Sequence, residues 1–218
     1  MAPRIASLIG WLLLAATGHA ATLCVNPGGT GGCFASVQAA VDAAASGDTI
    51  AVAAGTYAEH VLIERKRLDV VGDDPTTTLI DGGGTGRPMT VRGPGTRLTL
   101  SRLGMQNAGP GSVTPNMAVA DSKVTISECR LTGSNGAGLS DQEGISIHRH
   151  RARLTVIETT IAGNASVGVF LFSQSSLRLI RSTISGNGDS GIAVTGNQTR
   201  VRVEDSTISG NATTADGG

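Results

Sequence analysis

The string "TISGN" stands at residues 183–187 and again at 207–211, and a near copy, "TIAGN", stands at 160–164. Each closes a strand-like segment. These segments are "RLTLSRLGMQNAG" from Arg97, "KVTISECRLTGSN" from Lys123, "RLTVIETTIAGNA" from Arg153, "SLRLIRSTISGNG" from Ser176 and "RVRVEDSTISGNA" from Arg200. Their first apolar residues are Leu98, Val124, Leu154, Leu177 and Val201, at spacings of 26, 30, 23 and 24. Two residues later come Leu100, Ile126, Val156, Leu179 and Val203. Five beyond those come Met105, Leu131, Ile161, Ile184 and Ile208. Alternation at each start marks a strand with one face inward.

A second series keeps the same period. It holds Met89 and Val91, Met117 and Val119, Ile145 and Ile147, Val169 and Leu171, and Ile192 and Val194. Strands recurring every 20 to 30 residues signal a solenoid. The Leu and Asn string of a leucine-rich repeat is absent, and a β-sandwich has no such vertical register. The pattern predicts an all-β, right-handed parallel β-helix, a single-stranded solenoid that climbs about 4.8 Å per coil. In that fold the repeated string is a coil corner. Ile161, Ile184 and Ile208 fill the interior, glycine takes the bend, and Asn164, Asn187 and Asn211 stack as a ladder serving turn backbone groups. Upstream, Ser134 and Ala108 take the ladder position. The three asparagines also begin "NAS", "NGD" and "NAT"; the first and last are sequons, as is "NQT" at Asn197.

The ends read differently. "FASVQAAVDAAASGD" sets Phe34, Val37, Val41 and Ala44 on one helical face, so a short amino-terminal helix caps the first coil. "DTIAV", "HVLIE" and "RLDVVGD" follow as the first strands. At the other end "GNATTADGG" has nothing to cap a coil, which leaves an edge open to oligomer formation. Residues 1–20 read as a signal peptide, with one early arginine, an apolar run and a small-residue end. Residues 21–218 are then the β-helix domain. Removing the leader takes Arg4 and no acid, so 16 basic residues face 17 acidic ones. That balance excludes a broad nucleic-acid footprint. No stretch suits a transmembrane anchor. The expected place is secreted or periplasmic, where a disulfide between Cys24 and Cys33 can close the loop "VNPGGTGG". Cys129 is left to pack on a strand flank.

The segment "SVQAAVDAAASGDTIAVAAGTYAEHVLIERKRLDVVGDDPTTTLIDG" resembles the amino-terminal part of pectin-lyase-like β-helix proteins. It looks most like the opening of pectin methylesterases and of uncharacterised exported β-helix proteins. The shared marks are "GTY" at 55–57, Glu59, Gly72 and Asp73, and the run 78–82. The resemblance implies the fold and export. The esterase motif itself is not retained. "QNAGP" at 106–110 is similar to the family's "QNTAGP", but Met117 stands where the family has a catalytic glutamine. Counting from Cys129, the family's "QD" pair falls on Asn135 and Gly136, and its nucleophilic aspartate falls on Ser166. Pectin methylesterase activity is therefore not expected.

The richest polar cluster is "SDQEGISIHRHRAR", residues 140–153. With Ile145 and Ile147 inward, Ser146 and His148 point outward. Asp141, Glu143 and His148 are the candidate catalytic residues. Arg149, His150 and Arg151 are candidate ligands for an acidic sugar, since guanidinium groups grip carboxylates in bidentate fashion. Phe170 and Phe172 supply an outward stacking surface. No resident cofactor is expected, and calcium enters only in a lyase reading, at the same acids. Two functions fit. One is noncatalytic contact with extracellular or cell-surface glycans, or with a surface protein. The other is a polysaccharide lyase or uronate epimerase acting on an acidic polysaccharide, with His148 as base.

Overall fold

The computed structural model describes residues 20–109, 114–134, 144–148 and 151–212. The predicted leader, apart from Ala20, and residues 213–218 lie outside them. The described strands form three parallel sheets of eight, six and seven strands, and each strand pairs with its counterparts in the coils before and after. The chain is a right-handed parallel β-solenoid of about seven turns, and among the described residues one α-helix stands near its amino-terminal end.

Inward residues stack in columns. In the eight-stranded sheet Ile50, Val70, Leu100, Ile126, Val156, Leu179 and Val203 lie in register. In the six-stranded sheet Val61, Met89, Met117, Ile145, Val169 and Ile192 do the same. In the seven-stranded sheet the column runs Tyr57, Ile80, Met105, Leu131, Ile161, Ile184 and Ile208. Nearly all are fully buried until the last coil, where Val194, Val201, Val203 and Ile208 are exposed.

Two corners repeat by different means. Between the eight- and seven-stranded sheets one residue turns the chain in the left-handed region: Arg102, Glu128, Glu158, Arg181 and Asp205, with φ of 53, 52, 47, 44 and 48°. At the first of these corners the next residue is the buried Leu103; at the other four it carries a short polar side chain that bonds to a carbonyl of its own coil. Ser182 Oγ donates to the Ile180 carbonyl and accepts from Thr159 N–H. Thr159 Oγ1 donates to the Ile157 carbonyl and accepts from Cys129 N–H. Cys129 holds the corresponding place one coil earlier, its thiol donating to the Ser127 carbonyl. Burial pushes that thiol up to about 11, so it stays protonated and inert at neutral pH.

The second corner is the "GN" of the repeat. Gly163, Gly186 and Gly210 have φ of 62, 60 and 60°, where a Cβ is penalised. The asparagines that follow bond vertically. Asn164 Nδ2 donates to Asn187 Oδ1 at 2.9 Å, and Asn187 Nδ2 to Asn211 Oδ1 at 2.8 Å. Asn116, from a different part of its coil, adds a rung by donating to Asn164 Oδ1 at 2.9 Å. The ladder also explains Gly144, Gly168 and Gly191. A Cβ on Gly168 would lie 2.5 Å from Ile184 Cγ2 and 3.0 Å from Asn187 Nδ2, and its two counterparts meet Ile161 and Ile208 in the same way.

The helix spans Val37–Ala43 and buries Val37, Ala40 and Val41 over the first coil. It starts later than the sequence suggests, because Ser36 is extended and caps it through Ala39 N–H. Phe34 instead bridges to Val25 and packs against the core. Both helix ends are tied to that coil. Glu59 accepts from Val37 N–H at 2.7 Å and Gln38 N–H at 2.9 Å, placing a carboxylate at the positive end. Lys66 Nζ donates to the carbonyls of Val41, Asp42 and Ala44 at 2.6, 3.0 and 2.9 Å, covering the negative end. The Cys24–Cys33 disulfide is formed just before the helix.

Candidate functional site

The outer face of the six-stranded sheet carries two rows of side chains. One runs Leu62, Thr90, Ala118, Ser146, Phe170 and Ala193. The other runs Glu64, Arg92 and Ala120, with His148 at the next position in the strand register. Alternation along each strand places them opposite the core columns. Over the earlier coils this face is concave. A hollow of about 620 Å³ is lined by Glu64, Arg65, Arg87, Thr90, Arg92, Ala118, Ala120 and Asp121, among others. Small residues make its floor, and both charge signs stand on its walls. Arg92 pairs with Glu64 at 3.2 Å, so part of that charge is already neutralised.

The hollow leads by register to the residues singled out in the sequence. His148 lies in the strand Ile145–His148, one rung above Ala120. Phe170 is the next rung above Ser146, and its ring centroid lies 4.5 Å from that of Phe172, tilted by 50°. Both phenylalanines are half-buried. The two rings together form one apolar edge on that side of the coil. Ser146 keeps its place in the outward row, as alternation predicts, and is fully buried there. Asp141, Glu143, Arg149 and His150 lie outside the described residues, as does the side chain of His148. Arg151 is exposed, in a left-handed turn with φ of 68° before the strand Arg153–Ile157. Its backbone N–H donates to the Gln174 carbonyl, and it borders a small hollow of about 120 Å³ with Gln174 and Gln198. It therefore stands at the corner between sheets, beside the candidate face.

Met117 is completely buried in its core column between Met89 and Ile145. Ser166 is partly exposed in the turn before the strand Val169–Leu171. The motif that carries the amino-terminal resemblance is engaged in structure. The Tyr57 hydroxyl donates to the Ala53 carbonyl, Glu59 caps the helix, and Asp73 accepts from Ala54 N–H. Glu64, Arg65, Arg87, Arg92 and Asp121 were not singled out in the sequence. They come from four separate turns or strand ends, and only the register brings them to one hollow.

Among the described residues, no group of three or more His, Cys, Asp and Glu side chains is placed to hold a metal ion, and no helix is long and apolar enough to cross a membrane. Residues 114–217, just under half of the chain, match the family described as right handed beta helix region. No curated protein matches the chain. Several solved structures resemble it. The carrot pectin methylesterase is 19% identical with a TM-score of 0.50, over 83% of this chain and 63% of that one. The Escherichia coli protein ybhc is 16% identical with a TM-score of 0.53, over 95% of this chain and 75% of that one. ORF18 of Geobacillus virus E2 is 14% identical with a TM-score of 0.54, over 84% of this chain and 41% of that one. The chain thus spans less than two thirds of the carrot enzyme and less than half of the viral protein. In architecture it is a right-handed parallel β-helix of the kind found in pectin methylesterases.

Proposed function

We propose that the chain is an exported, noncatalytic module that holds glycan chains against the outer face of its six-stranded sheet. The observation that carries this reading is the register of that sheet. It sets a charged hollow with a small-residue floor, His148 and the Phe170–Phe172 pair on one sheet, with the buried Ser146 on the rung between the hollow and Phe170. A sugar chain laid across the strands meets polar walls first and an aromatic stacking surface after. Export is supported by the leader-like opening and by the disulfide, which persists in oxidising compartments.

The double substitution Phe170→Ser with Phe172→Ser tests it on an array of neutral and acidic oligosaccharides. Loss of two stacking rings is expected to weaken the bound neutral glycans at least tenfold, at low and high salt alike. Unchanged binding with intact folding rejects the face as the glycan site. A second reading, lyase or epimerase action on an acidic polysaccharide, draws on one observation. The face that bears His148 also carries Glu64 and Asp121 with three arginines. There a histidine base removes the proton alpha to a uronate carboxylate, and an arginine stabilises the charge that develops.

A further inference from the structure

We propose that the outer face of the eight-stranded sheet is a separate docking surface for a linear anionic polysaccharide, which lies along the solenoid axis. The observation is a ladder of cations. Arg67, Arg97, Lys123, Arg153, Ser176 and Arg200 are in direct register, each one coil above the last. The five basic members are all exposed. The row beside them runs Asp69, Thr99, Thr125, Thr155, Arg178 and Arg202. Two hollows open over these rows, of about 300 and about 660 Å³, and Lys123 lines both. The residues that line the two hollows together span the rungs from Arg67 to Arg202.

Like charges directly opposite each other in a sheet oppose folding. The neighbouring arginines show how the chain relieves that cost when it does so internally. Arg178 and Arg202 both pair with Glu204, at 2.8 and 2.7 Å. Arg67, Arg97, Lys123, Arg153 and Arg200 make no ion pair among the described residues. The counter-charge for that row is left to a ligand. Of the two rows only Asp69, at the first rung, carries negative charge.

The geometry selects the ligand. The cations form a single file with a rise of about 4.8 Å per rung. That is close to the length of one sugar in an extended chain, so each rung meets one carboxylate or sulfate. Phosphates on a duplex strand rise by only about 3.4 Å and come in two files. The two rows also hold no aromatic side chain on which unpaired bases stack. The threonine row offers hydroxyls to the sugar's own hydroxyl groups, while the arginines clasp its acidic groups. This surface lies on a different sheet from Phe170 and Phe172, so the two binding readings stand or fall separately.

The test uses the full chain and the triple substitution Arg97→Glu, Lys123→Glu and Arg153→Glu, with circular dichroism and a denaturation curve to confirm folding. Binding to polygalacturonate, alginate, heparin, dextran and a single-stranded oligonucleotide is measured across a salt series. Wild-type protein is expected to bind the anionic polysaccharides and not dextran, with affinity falling steeply with salt. The triple variant is expected to lose at least 30-fold in affinity, and the Phe170→Ser, Phe172→Ser variant to keep this salt-sensitive component. The milder set Arg97→Gln, Lys123→Gln and Arg153→Gln gives an intermediate loss and serves if the reversed charges impair folding. A preference for polygalacturonate and alginate identifies carboxylate as the recognised group; a preference for heparin identifies sulfate. Unchanged affinity in the folded glutamine variant overturns the proposal, as does tighter binding of the oligonucleotide than of any polysaccharide.

Discussion

Ile184→Asn is expected to destabilise the protein by about 5 kcal/mol. Ile184 is fully buried, in register between Ile161 and Ile208, and its Cγ2 fills the space that Gly168 leaves open. Removing its methyls leaves a void, and the new amide enters an apolar column whose neighbours are aliphatic. Both costs act together. Whole domains hold only about 5–15 kcal/mol, so the effect is comparable with the total. A solenoid distributes such damage unevenly, since each coil leans only on its neighbours. Hydrogen exchange is expected to show lost protection across Thr183–Ser185 and Thr207–Ser209, with the first coils around Thr49–Val52 less affected. Ile184→Val serves as the control, with a loss of about 1 kcal/mol. Equal denaturation midpoints for the asparagine variant and the wild type would show that the column does not stack.

Asn187→Ala is expected to cost about 3–4 kcal/mol, although it removes no apolar surface. Its side chain is buried and makes four bonds. Oδ1 accepts from Asn164 N–H at 3.1 Å and Asn164 Nδ2 at 2.9 Å, while Nδ2 donates to Asn211 Oδ1 at 2.8 Å and the Ile161 carbonyl at 3.3 Å. Alanine leaves these partners in place without their mate. Each buried group so stranded costs about 1–3 kcal/mol, and the vertical chain of amides is interrupted at its middle. Asn197→Ala, at an exposed position, is expected to stay within about 0.5 kcal/mol of wild type. Guanidinium denaturation of the two variants side by side checks the contrast. Equal stabilities would mean that Asn187 is an ordinary turn residue.

These two substitutions fall where the sequence was most legible. Ile184 and Asn187 recur in a fixed string, and a column or ladder that repeats in space repeats in sequence as well. Contacts without that periodicity stayed hidden. Glu59 and Lys66 cap a helix more than twenty residues earlier, Lys66 through three helix carbonyls. Asn116 joins the ladder from another side of its coil. Cys129, Thr159, Ser182 and Ser206 play one part with three residue types, so no string betrays them. The cationic file was in plain view as the first letter of successive segments. It became a surface only when the register put those letters one above another. The candidate face shows the reverse limit. Phe170 was read as outward from alternation alone, but the hollow around Arg92 is assembled from chain segments distant in sequence.

The noncatalytic reading is tested most directly by incubating the protein with polygalacturonate, alginate and glycosaminoglycan chains, with and without calcium, while absorbance of unsaturated products and uronate composition by nuclear magnetic resonance are followed. His148→Ala is run beside the wild type. The expected result is retained glycan binding in both proteins with no absorbing product and no change in composition. Product formed by the wild type and abolished by His148→Ala would contradict a binding module and identify an enzyme.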